Sequence, residues 1–155
     1  MAGLQQKRTH TPVVADDSCW PLLYMYYPAD SNPDDQAFLA HTEEVIRAVH
    51  ARHGVGARYV VLADLRHFNR SVNPSARRAV GELLNRICDD YGYPTAEAVV
   101  VRSQILRLMV TAVNFVQFQK KHERRAFPTL EQAHKWLIGE AKRIDDLTLP
   151  TSVPW

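Results

Sequence analysis

Cysteine, glycine and long apolar runs are all scarce in this chain. Its two cysteines, Cys19 and Cys88, are far apart and lie in no C-x-x-C or Cys/His pattern with zinc-ligand spacing. A disulfide framework and a structural zinc site are therefore excluded, and reduced thiols are expected. The 6 glycines form no G-x-G-x-x-G, Walker or G-x-S-x-G arrangement, which removes the dinucleotide, P-loop and serine-hydrolase readings. No stretch approaches the roughly 20 apolar residues of a bilayer span. The opening MAGLQQKRTH lacks the apolar core of a signal peptide, and Gln6 stands where a myristoylation signal has Ser or Thr. A cytoplasmic, non-transmembrane protein is expected. Excess charge is lacking too: 19 Lys and Arg stand against 17 Asp and Glu, so the net charge of +2 does not by itself imply nucleic acid.

What is present is the composition of an ordinary globular chain. At 155 residues with 46% hydrophobic and 23% charged, one domain with a real core is the default. Such a domain buries roughly 68 to 70% of its unfolded surface and needs no metal or crosslink to be stable. Residues 1–10 are polar and unpatterned, and residues 145–155 carry two prolines and no helical period, so both are expected to be flexible ends of a domain over 11–144.

Within that domain, TPVVA (11–15) and WPLLYMYYP (20–28) are β-rich runs separated by Asp16, Asp17 and Ser18, residues of turn chemistry, and predict a hairpin. Ser31 to Asp35 then open a helix carrying Phe38, Val45, Ile46 and Val49, which should end near Gly54 or Gly56. ARYVVLADL (57–65) is a nearly continuous apolar run, the pattern of a strand buried on both faces. Asn73-Pro74-Ser75 starts a helix whose inward line is Ala76, Val80, Leu83, Leu84, Ile87, Cys88 and Tyr91, stopped by Gly92. AEAVVVR (96–102) predicts a second buried strand, and Ser103 caps a helix with Ile105, Met109, Ala112, Val113 and Val116 inward. ERRAF (123–127) reads as a strand near an edge, and Pro128-Thr129 opens a last helix with Leu130, Ala133, Leu137, Ala141 and Ile144 facing the sheet. The order β-β-α-β-α-β-α-β-α predicts an α/β domain with a mostly parallel mixed sheet and an N-terminal hairpin. Right-handed crossovers gather the C-terminal ends of the strands at one edge, where function is sought.

Charge is most uneven between Arg66 and Gly81. RHFNRSVNPSARRAVG holds Arg66, Arg70, Arg77 and Arg78 and no acid. A loop leading into a helix would present backbone N–H groups and guanidinium forks to one anion, joined by Arg102 and Arg107 from the next strand end. The plainer role for Arg77 and Arg78 is solvation or pairing with acids such as Asp64, Glu82 or Asp89. Asp64 closes a buried strand; pairing with Arg66 or Arg102 is favoured over acid/base chemistry, because no second carboxylate, nucleophile or metal accompanies it. A third role would need Asp64 to meet His67 in a pocket. Ser71 and Ser75 are candidate phosphorylation sites, with a first-turn helix role the favoured one for Ser75. His50 and His53 are spaced i, i+3, but with His41 they make no defined ligand set, so surface histidines are expected, with no metal and no cofactor. Tyr24, Tyr26 and Tyr27, with Phe115, Phe118 and Trp136, are either core, the lining of an apolar-ligand pocket, or a face that makes a homodimer if no helix covers it. Lys120, Lys121, Arg124 and Arg125 read as a solvated edge; nucleic acid is disfavoured.

VVLADLRHF, Arg77-Arg78, AVVVRSQILRLMVTAVNF and RRAFPTLEQAHKWL resemble the STAS domain of bacterial anti-sigma-factor antagonists, and most closely the uncharacterised bacterial STAS-like proteins. The resemblance spans about residues 11–144, and its terminal signature is Phe127, Ala133, Trp136 and Leu137. It implies a single STAS-like domain acting as a regulatory module. The antagonists' Asp-Ser-Ser-Gly phosphorylation segment is absent: this chain has Ser71-Val72-Asn73-Pro74-Ser75-Ala76 in the comparable place. The expectation is a non-catalytic module that docks a protein partner or an anionic small ligand at Asp64, Arg66, Arg70, Arg77, Arg78, Arg102 and Arg107. The alternative is a carrier of a lipid or other apolar ligand, since STAS-like folds broadly resemble the CRAL-TRIO type.

Overall fold

A computed structural model describes residues 13–32, 35–68, 74–104, 107 and 122–155. In chain order these give β1 (Val14–Cys19), β2 (Leu22–Tyr26), α1 (Gln36–His53), β3 (Val60–Asp64), α2 (Pro74–Tyr91), β4 (Ala96–Val100), β5 (Glu123–Phe127) and α3 (Leu130–Asp145). The five strands form one sheet in sequence order, β1 antiparallel to β2 and every later pair parallel. The expected α/β class, hairpin and strand order are therefore observed. The helix expected after Ser103 falls largely outside the described residues, as do residues 1–10.

The pleat sorts the core into two layers. Leu23, Met25, Tyr59 and Val61 meet Phe38, Ile46 and Val49 of α1 and Leu83 and Ile87 of α2. Leu22, Tyr24, Val60, Leu62, Ala96, Ala98 and Val100 meet Ala133, Leu137 and Ala141 of α3 on the opposite face. Helix ends follow local chemistry. The Asp35 side chain accepts from Ala37 N to begin α1, Gly54 at φ 90° ends it, and Thr129 accepts from Gln132 N to begin α3. The C-terminus of α2 returns to the start of β3, where Gly56 N donates to the Tyr91 carbonyl at 2.8 Å. Its first turn, with Ser75, Arg77 and Arg78, consequently lies toward the C-terminal edge of the sheet.

Three local expectations are corrected. Asp16, Asp17 and Ser18 do not turn the hairpin. They lie in β1, where the register shifts between Asp16 and Cys19, and the chain reverses at Trp20-Pro21. Asp16 Oδ1 accepts from Ser18 N at 2.9 Å, so the side chain expected to make a turn supports an irregular strand instead. Ile144 is 40% exposed rather than turned to the sheet. Residues 146–155 lie against the sheet rather than forming a flexible tail. Asp146 adopts a left-handed conformation at φ 53°, and its N–H bonds to the last carbonyls of α3. Beyond it, Leu149 is buried, Leu147, Val153 and Trp155 pack on the α3 layer, and His134 Nε2 donates to the Pro150 carbonyl at 2.8 Å. This strap covers the β2 side of the layer, including the Tyr24 and Tyr26 face for which a homodimer was one expectation.

Candidate functional site: a closed carboxylate at the strand C-terminal edge

Asp64 ends β3 with its side chain on the α3 face, and it is fully buried (0% exposed). A carboxylate removed from water is tolerated only when its lone pairs are filled. Here Oδ2 accepts from the Tyr24 hydroxyl at 2.6 Å and from Arg66 Nη2 at 2.9 Å. Oδ1 accepts from Arg66 Nε at 2.9 Å and from the Arg66 backbone N–H at 3.1 Å. A carboxylate offers about four acceptor positions, and all are occupied. Burial pushes the Asp64 carboxyl up, but the bonds from Arg66 and Tyr24 outweigh it and hold the group below the usual carboxylate range. Burial and the adjoining carboxylate also raise the Tyr24 phenol. The Tyr24 ring is covered by Trp155, stacked at 4.2 Å between centroids and 14° between planes, whose Nε1 donates to Asp16 Oδ2 at 3.3 Å.

The expected pairing of Asp64 with Arg66 is thus present, and Arg102 takes no part in it. His67 lies edge-on to Tyr26 at 5.9 Å, while the bonds to Asp64 come from Tyr24 and Arg66. Arg107 is also committed: Nη1 donates to the carbonyls of Val101 and Arg102 at 3.0 and 2.9 Å, closing the end of β4. Arg77 is half-buried, whereas Arg78, Arg102 and Ser75 are exposed. Among the described residues, none of the three arginines donates to the Asp64 carboxylate. Arg70 and Ser71 lie outside the described residues, as do Lys120 and Lys121. Of the second basic group, Arg124 approaches Glu97 at 3.4 Å and Arg125 lies over the Phe127 ring at 5.5 Å.

Two polar clusters escaped prediction. On β4, Glu97 sits opposite Arg124 of β5 in the ladder and 3.3 Å from His122. Burial raises its carboxyl, but the Arg124 charge and the hydrogen bond with His122 outweigh it and bring the group below its ordinary value. The outward half of an alternating pattern was the only signal for Glu97, and it does not distinguish a solvated face from a covered one. At the opposite end of the sheet, His50 is 4% exposed rather than on the surface, edge-on to Tyr59 and stacked on Tyr91. His53 stacks on Trp20 at 3.6 Å and contacts Asp17 Oδ2 at 2.7 Å, a carboxylate that also accepts from Arg52. Among the described residues, no group of three or more His, Cys, Asp and Glu is arranged to hold a metal ion, and no helix is long and apolar enough to cross a membrane. No family model matches the chain, and no curated protein or solved structure matches it.

Proposed function

We propose that the chain is a STAS-like, non-catalytic interaction module of the cytoplasm, docking a protein partner or a small anion at the C-terminal edge of its sheet. The supporting observation is a division of labour among charges. Asp64 and Arg66 satisfy each other and Arg107 is spent on carbonyls, while Arg78 and Arg102 stand exposed near the same edge with Arg77 half-buried beside them. A saturated carboxylate has no free lone pair with which to take a proton or hold a metal, which speaks against acid/base catalysis there. Exposed guanidinium groups beside a helix N-terminus suit phosphate and carboxylate. Ser75, exposed in the first turn of α2, is the modification candidate of this surface, since a phosphate there would meet the helix N-terminus and Arg78 one turn on.

The test is a titration of the isotope-labelled chain with inorganic phosphate and, separately, with a glutamate-rich peptide. Saturable shifts at Ser75, Arg77, Arg78 and Arg102 are expected, and Arg77→Glu should abolish them while leaving the fold intact. Shifts that are absent, or unchanged in Arg77→Glu, overturn the assignment. Native mass spectrometry of the purified chain adds a second check: a stoichiometric copurified lipid would replace docking with the carrier alternative.

A further inference from the structure

The strap and the closed carboxylate form one contact chain: Asp16 holds the Trp155 indole, Trp155 covers Tyr24, Tyr24 donates to Asp64, and Asp64 holds the Arg66 fork. Arg66 is the outermost member, with 28% of its side chain exposed against none of Asp64. We propose that the seating of residues 146–155 sets whether Arg66 is locked onto Asp64 or available at the docking edge, so that the strap regulates that surface. This rests on the docking reading for what the edge does, but not for the coupling itself.

The physical route is short. With the indole in place, the Tyr24 ring is excluded from water and its hydroxyl is held between the Asp64 carboxylate, to which it donates at 2.6 Å, and the Arg66 fork. When the indole leaves, water reaches Tyr24, its hydroxyl gains competing partners, and Oδ2 loses its shortest donor. Arg66 then holds a carboxylate that water can reach, where an ion pair is worth far less. Among the described residues beyond Asp146 there is no helix or strand, and the strap is held by few attachments: a turn bond from Leu147 N to the Ala141 carbonyl, the His134 bond, the buried Leu149 with Leu147 and Val153 packed nearby, and Trp155 through its stack on Tyr24 and its bond to Asp16. Coupling is reciprocal, so an anion that draws Arg66 outward must also loosen Trp155.

Nitrogen-detected NMR of the full chain reads the lock directly through the Arg66 Nε–H, whose exchange with water is slow while Asp64 accepts from it. Trp155→Ala should speed that exchange by about tenfold or more, with the backbone amides of Val99 and Val101 in β4 unaffected. Tyr24→Phe, which keeps the ring and removes the hydroxyl, should speed Arg66 exchange similarly, and adding Trp155→Ala to it should change nothing further. Unchanged Arg66 exchange in Trp155→Ala, equal loss of protection in β4, or additive effects in the double variant would each overturn the coupling. If Arg66 responds but phosphate produces no shifts at the edge, the docking reading fails and the coupling stands.

Discussion

The two ends of the sheet solve the same problem of buried polar groups with different chemistry. At the C-terminal edge the buried group is charged, and four hydrogen bonds in a closed set keep it so. At the N-terminal edge the buried group is His50, which meets aromatic rings instead, and burial with the nearby charges of His53 and Arg47 pushes it down to about 4. The Asp64 site stores a charge and the His50 site excludes one. Arg52 and Arg58 also reach solvent at the N-terminal end, but from carboxylates that are themselves partly exposed, whereas the partner of Arg66 is fully buried.

The sharpest way to break this contrast is to remove the cation. Arg66→Met leaves Asp64 buried with Tyr24 and one backbone donor, and should cost about 3 kcal/mol or more by urea denaturation at neutral pH. The pair Asp64→Leu with Arg66→Met should recover most of that loss, because no unpaired charge then remains at that site. A loss below about 1 kcal/mol would show that water reaches Asp64 readily.

The pH dependence separates the two ends in the same unit of energy. Asp64 has its folded value below the unfolded one, so its contribution is complete above about 4 and lost as pH falls through the lower folded value. His50 is also depressed, from 6.5 to about 4, so its contribution is complete above 6.5 and is lost between 6.5 and 4 as the unfolded state takes up the proton first. The second window should account for about 3 kcal/mol, and His50→Phe should flatten stability there while leaving the lower window in place. An unaltered profile in His50→Phe would mean that the imidazole takes up its proton equally in the folded and unfolded chain, so that burial does not depress it.

A smaller effect marks the rim of the N-terminal end. Asp17 is held below its ordinary value chiefly by His53 and then by Arg52, and it ties the β1–β2 reversal to the end of α1. Asp17→Asn should cost about 1 kcal/mol in thermal unfolding at neutral pH, with the loss shrinking as pH falls through the depressed value of Asp17. An equal loss at every pH would assign the role to packing of Trp20 on His53 rather than to charge.

How much of this was legible depended on how far each cause lies along the chain. Pro74 and Gly92 punctuate α2, and Thr129 caps α3, so those elements were readable from neighbours a few residues away. The pairing of Asp64 with Arg66 was readable for the same reason, being two residues apart. Tyr24 is 40 residues from Asp64, and its role needed the parallel register that sets Tyr26 opposite Asp64. The strap was missed because its apolar anchors, Leu147, Leu149, Val153 and Trp155, follow no period. They match the shape of a sheet face assembled elsewhere. His50 lay on the apolar line of Ile46 and Val49, yet its residue type outweighed its position. The Asp16 to Ser18 turn was over-read because side-chain bonding to a nearby N–H serves a bulge as well as a reversal.

The smallest effect on stability carries the most about function. Arg78 and Arg102 are exposed, and neither belongs to the closed set around Asp64. Surface charges of this kind sit within about 0.5 kcal/mol of neutral for folding when replaced, so Arg78→Glu and Arg102→Glu should unfold almost as the parent chain does. If they are recognition cations, the same two variants should weaken binding of the glutamate-rich peptide by about tenfold each, with the loss shrinking at high salt because the contacts are screened. A variant that loses stability but keeps the peptide would move its arginine into the architecture of the edge. One that keeps both would leave the exposed charge as solvation alone. The combination of unchanged unfolding with lost, salt-sensitive binding is what separates a docking cation from Arg66 and Arg107, whose charges the fold already uses.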